Sequence, residues 1–277
     1  MGADLGSHAS SHYAIGLCSM PNLQSLDIDR VKLSNEFYST LASEASKSKI
    51  EKLTHGNTDL GSHASSHYAI GLCSMPNLQS LDIDRVKLSN EFYSTLASEA
   101  SKSKIEKLTH GNTDLGSHAS SHYAIGLCSM PNLQSLDIDR VKLSNEFYST
   151  LASEASKSKI EKLTHRHADL DSAASSHYAR GLCSLPNLRT LDMNGVELSD
   201  EFYSTMAYEA SKSKIEELSH QTADLGSAAS SNYARGLCSM PYLRSLGLHS
   251  VELSDEFYST MASEASKSKV YQIRFEL

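Results

Sequence analysis

Thirteen histidines and five cysteines are the residues of this 277-residue chain best suited to chemistry, and both recur at fixed intervals. His8 with His12, His63 with His67 and His118 with His122 are spaced i, i+4, so on a helix each pair shares one face and could hold a transition metal adventitiously. A third ligand is missing. Further along, the pair decays to Ala173 with His177 and then to Ala228 with Asn232, which marks a variable exposed face, and no physiological metal site is expected. A second series, His55, His110, His165 and His220, falls at a position that is otherwise apolar and ends at Phe275. These read as neutral, hydrogen-bonded core histidines rather than catalytic bases. Cys18, Cys73, Cys128, Cys183 and Cys238 form a third series. Equivalent residues two strands apart in a sheet are separated by about 10 Å, beyond the ~7 Å Cα limit for a disulfide, so free buried thiols are expected. The sequence contains no nucleophile elbow, phosphate loop or HExxH zinc motif. The reading is a non-enzyme without a cofactor.

The intervals come from a 55-residue period. Residues 4 to 110 reappear unaltered as residues 59 to 165, and Leu5, Leu60, Leu115, Leu170 and Leu225 mark one point in five successive modules, about 4–58, 59–113, 114–168, 169–223 and 224–277. A module that cannot bury its own apolar face must stack on its neighbour, which predicts one solenoid over 1–277. Each module has two halves. Leu23-Gln-Ser-Leu26-Asp-Ile28 opens one strand motif and, 27 residues on, Ile50-Glu-Lys-Leu53-Thr-His55 opens the next; 28 more residues lead to Leu78. Between them, Phe37, Leu41 and Ala45 form an apolar helix stripe with Ser34 as expected N-cap. Ala9, Tyr13 and Leu17 repeat that spacing, and Pro21 stops the helix before the strand. Short strands that alternate with helices predict right-handed crossovers between parallel neighbours. The expected fold class is α/β, a right-handed β-α superhelix with strands on the concave face and helices on the convex face.

Unit lengths of 27 and 28 with the L-x-x-L-x-L pattern resemble the ribonuclease-inhibitor-like class of leucine-rich repeats. The segments Gly16-Leu17-Cys18-Ser19-Met20-Pro21-Asn22-Leu23 and Leu33-Ser34-Asn35-Glu36-Phe37-Tyr38-Ser39 are similar to repeat regions of lancelet proteins akin to intracellular nucleotide-binding immune receptors. One position departs from the family pattern. Where Asn or Cys is usual, this chain carries Val31, Val86, Val141, Val196 and Val251, or Thr58, Thr113, Ala168 and Ala223. Apolar packing is expected there in place of a side-chain hydrogen-bond ladder.

A formal net charge of -8 and a pI near 5.9 argue against nucleic acid as a partner, and no apolar run approaches 18 residues, so no membrane span is expected. The start Met1-Gly2-Ala3-Asp4 lacks the features of a secretory signal, which predicts a cytoplasmic location. Alternation along the strands aims Ser25, Asp27, Asp29, Arg30, Lys52, Thr54, Gly56 and Asn57 at the concave face, where Asp27 and Asp82 are expected to flank Lys52 in a self-satisfied charge lattice. Variety enters only in later modules. Arg166, His167, Asp192, Asn194, Gln221, His249, Tyr271 and Arg274 are therefore the candidate sites for a protein ligand. Head-to-tail self-association through the outer strands near Leu23 and Val270 is a further expectation. Strict identity over three modules favours an engineered solenoid. The alternatives are a natural immune-receptor-like domain sensing protein or microbial ligands, and a ribonuclease-inhibitor-like protein that captures an enzyme.

Overall fold

A computed structural model describes residues 6–276; Leu5, Leu277 and the Met1–Asp4 start lie outside the described residues. The helices are α1 (Ser7–Ser19), α2 (Asn35–Glu44), α3 (Ser62–Ser74), α4 (Asn90–Glu99), α5 (Ser117–Ser129), α6 (Asn145–Glu154), α7 (Ser172–Ser184), α8 (Asp200–Glu209), α9 (Ser227–Ser239) and α10 (Asp255–Glu264). The strands are β1 (Ser25–Asp27), β2 (Lys52–Thr54), β3 (Thr58–Asp59), β4 (Ser80–Asp84), β5 (Val86–Lys87), β6 (Lys107–Asp114), β7 (Ser135–Lys142), β8 (Lys162–Asp169), β9 (Thr190–Glu197), β10 (Glu217–Leu225), β11 (Ser245–Leu253) and β12 (Gln272–Glu276). Ten of them form one all-parallel sheet in the order β1-β2-β4-β6-β7-β8-β9-β10-β11-β12; β3 and β5 pair separately. Neighbours in the sheet follow one another along the chain with a helix between them, which is the expected right-handed β-α superhelix, its strands concave and its helices convex.

The leucine pattern explains the core. Leu26, Leu53, Leu81, Leu108, Leu136, Leu163, Leu191, Leu218 and Leu246 share one row of the register, all buried. Side chains alternate along a strand, so the residues between the leucines face outward, as in β4, where Leu81 and Ile83 are buried and Ser80, Asp82 and Asp84 are half-buried. On the helix side, Phe37 and Leu41 are buried with Tyr38, and Ala45 opens a short 3-10 turn that follows α2. The Ala-Tyr-Leu stripe holds from α3 onward as Ala64, Tyr68 and Leu72. In α1 the buried residues are Ser10, Ala14, Leu17 and Cys18, while Ala9 is exposed and Tyr13 half-buried.

Serine builds the joints. Ser65 is fully buried; its Oγ donates to Leu60 O at 3.0 Å and accepts from Ser89 N at 3.1 Å, tying the start of α3 to the residue before α4. Ser120, Ser175 and Ser230 repeat the bracket. Ser34 is the N-cap residue of α2 as expected, but its hydroxyl makes no capping bond; its carbonyl accepts from Phe37 N while its own N–H donates to Ser10 Oγ. In the last two modules the equivalent hydroxyls, Ser199 and Ser254, donate to Glu201 and Glu256. Among the described residues, only at Asp171 does a cap side chain accept from the helix, at 2.8 Å from Ala174 N.

At the departure from the family pattern, Val86, Val141 and Val196 are buried and Thr58, Thr113, Ala168 and Ala223 are half-buried, so apolar packing does take the place of a polar ladder. One residue earlier, each of the nine units described at this point turns through the left-handed region. Arg30, Asn57, Arg85, Asn112, Arg140, His167, Gly195, Thr222 and Ser250 have φ between 51° and 62°. This single residue bends the strand and lets its continuation pair again, as Ala223 does with Val251.

Candidate binding face

The chemistry-bearing residues of the core are positioned for packing. His55, His110, His165 and His220 are buried in the sheet row shared with Ile83, Ile138, Met193 and Leu248. Burial pushes His55, His165 and His220 down to about 4 and His110 to about 3, so all four are neutral. The expectation that all are hydrogen-bonded needs correction. His165 Nδ1 lies 3.0 Å from Tyr178 Oη and His220 Nδ1 3.2 Å from Tyr233 Oη, but both ring nitrogens of His55 and His110 are buried without a partner. Those two rings meet Tyr68 and Tyr123 edge-on at 5.1 Å, inside a continuous file of Phe, Tyr and His rings. The five cysteines are free and buried, and burial raises Cys18 to about 11 and Cys73, Cys128 and Cys183 to about 12, far from a reactive thiolate.

Of the charge lattice expected around Lys52, the Lys52 charge does act on Asp82, but neither Asp27 nor Asp82 lies directly opposite it. The register sets Lys52 against Ser25 and Ser80, and it is Thr54 that faces Asp27 and Asp82. Polar pairing instead runs one row further along. Asn57 Nδ2 donates to Asp29 Oδ1 at 2.7 Å and Asn112 Nδ2 to Asp84 Oδ1 at 2.6 Å. These aspartates lie across a glycine: a Cβ on Gly56 would meet Asp29 Oδ1 at 2.5 Å and the Asp84 carbonyl at 3.1 Å. In the third module the same row carries Arg166 and His167. His167 Nδ1 reaches Asp139 Oδ1 at 2.7 Å, and Arg166 Nη1 lies 3.4 Å from both carboxylate oxygens of Asp137.

Further along the face, a depression of about 280 Å³ brings together three of the residues named from sequence, Asp192, His249 and Arg274, with Lys162, Glu217 and Gly247. Asp192 lies between Thr164 and Ser219 in register, and its Oδ1 is buried without a hydrogen-bond partner. The floor is open because Gly247 replaces the Asp, Thr or Ser of earlier units; the His249 ring lies over it, 3.0 Å from where a Cβ would sit. Asn194 and Gln221 are neighbours on the adjoining row, and Gln221 Nε2 donates to Ser219 Oγ at 3.3 Å. Tyr271 precedes β12 and is exposed at the leading edge of the face, away from the depression. Sequence reasoning missed Lys162, Glu217 and Gly247. The signals were present as breaks in the period: Lys52, Lys107 and Lys162 give way to Glu217, and Asp27, Asp82, Asp137 and Asp192 give way to Gly247.

No family model and no curated protein matches the chain. Among solved structures it is similar to a chain of the crystal structure of a TLR13–ssRNA13 complex, with a TM-score of 0.54 and 17% identity over 94% of this chain and 36% of that one. It is also similar, with a TM-score of 0.48 and 13% identity, to a Bacteroides fragilis protein, over 98% of this chain and 73% of that one. The chain thus spans little more than a third of the TLR13 chain it matches. At this identity the first likeness shows a shared α/β solenoid fold. Among the described residues no helix is long and apolar enough to cross a membrane, and no three His, Cys, Asp or Glu side chains converge as a metal site.

Proposed function

We propose that the chain is a non-catalytic leucine-rich repeat scaffold, an engineered solenoid in which one 55-residue module was copied ahead of a divergent C-terminal pair. The observation that carries this is identity where packing asks for none. Asn35, Asn90 and Asn145 are exposed, as are Lys32, Lys87 and Lys142; the divergent modules carry Asp200 and Asp255, and Glu197 and Glu252, at these positions, and substitutions there usually change stability by no more than about ±0.5 kcal/mol. Physical constraint therefore does not keep them the same; copying does. The gene tests the origin: unrelated synonymous codons for identical residues in the first three modules would support assembly by design, and shared codon drift would contradict it.

The concave depression favours a second reading, a natural ligand-sensing domain that binds a protein or microbial ligand. Its lining alternates Lys162 and Arg274 with Asp192 and Glu217, which suits a polar, mixed-charge peptide surface better than the RNA held by the TLR13 neighbour. A peptide array probed with the chain and with its Asp192→Asn and Arg274→Ala variants tests this. Signals lost in both variants would support the reading; an array with no signal above background would sink it.

A further inference from the structure

We propose that α1, α3 and α5 each carry a two-histidine chelate for a divalent transition-metal ion of the Cu²⁺, Ni²⁺ or Zn²⁺ type: His8 with His12, His63 with His67, and His118 with His122. In every pair the two imidazole rings sit on one helix face with their centroids 4.3 Å apart. The second histidine is already oriented. Its Nδ1 lies 2.9 Å from the backbone carbonyl of the first, and because a carbonyl can only accept, Nδ1 carries the hydrogen and Nε2 keeps the lone pair. That is how metal-ligating histidines are held, with one ring nitrogen on a carbonyl and the other free for the ion.

The charge around two of the three pairs also suits a cation. Each pair stands in the first half of its helix, where the helix dipole alone would disfavour positive charge. Glu36 at the start of α2 lies close enough to His63 for their charges to interact, and Glu91 at the start of α4 stands in the same relation to His118. These carboxylates offset the dipole. No third donor converges on any pair among the described residues, so the remaining coordination positions belong to solvent, and the chelates are open and labile rather than structural.

The chain contains its own controls. In α7 the pair is reduced to His177 opposite Ala173, and in α9 Ala228 and Asn232 stand at the two positions. The structure therefore assigns three ions per chain rather than five. Titration of the 277-residue chain with NiCl₂ or CuCl₂ in a non-coordinating buffer, followed by calorimetry, reads this number directly. His12→Ala should lower it from three to two. The triple variant His12→Ala/His67→Ala/His122→Ala should abolish binding while far-UV circular dichroism stays unchanged, since all three positions lie on the convex surface. Ala173→His should raise the number to four by completing the pair with His177. Absence of binding by the parent chain, binding that survives the triple variant, or no added site in Ala173→His would each overturn the proposal.

Discussion

His55, His110, His165 and His220 occupy a sheet row that Ile28, Ile83, Ile138, Met193 and Leu248 fill elsewhere, so acid acts on this molecule from inside its core. Burial places their folded-state values at about 3 to 4, below the ~6.5 of an unfolded chain. With the folded value depressed, the unfolded state binds more protons between those limits. The stability contributed by keeping these rings neutral is whole above about pH 6.5 and is lost as pH falls toward 4. Each unit of depression is worth about 1.4 kcal/mol, so the melting temperature should drop steeply over that window. His55→Leu, which copies Leu248, should flatten the profile; an unchanged profile would show that the ring is not buried neutral. The tyrosines beside these rings separate by hydrogen bonding. Tyr178→Phe removes the partner of His165 and should cost about 0.5–1.5 kcal/mol, whereas Tyr68→Phe removes a hydroxyl without a partner and should be neutral or stabilising in the same denaturation experiment.

At the scale of elements, leucines and the Phe37-Leu41-Ala45 spacing made strands and helices readable, because periods of two and 3.6 report directly which face is buried. Three features resisted. Lys52 faces Ser25 and Ser80 because parallel register is set by stacking of whole units, which spacing within one strand does not encode. Ser34 lies at the helix start, yet the hydroxyl of a residue 24 positions earlier receives its N–H. The left-handed turn is hinted at only by Asn57, Asn112 and Gly195, residues that tolerate this conformation, and is hidden by Arg, His, Thr and Ser elsewhere. Of the face, the variable positions were legible as departures from the period; that Asp192, His249 and Arg274 share one depression was not, since it depends on a missing Cβ at Gly247. Thr222 is the most strained of the turn residues, being β-branched at φ 59°. Thr222→Gly, which copies Gly195, should therefore raise stability by about 1 kcal/mol in urea unfolding. Gly56→Ala should act in the opposite sense, by about 1–3 kcal/mol, because its Cβ collides with Asp29 and with the Asp84 backbone. Equal midpoints for wild type and Gly56→Ala would show that the aspartate yields freely.

At the scale of the molecule, units contact their neighbours through sheet register, serine brackets and stacked rings that repeat from one half-module to the next. Stability should accordingly be a sum of unit and interface contributions rather than the property of one central core. Residues 59–113 can be removed without creating a new junction, since Thr58 would be followed by Asp114 just as it is now followed by the identical Asp59. The most direct measurement is the far-UV circular dichroism and thermal unfolding of this deletion variant. A quasi-one-dimensional solenoid predicts an unchanged signal per residue and a single cooperative transition, at the parent's temperature or slightly below it; loss of the helix signal would contradict it.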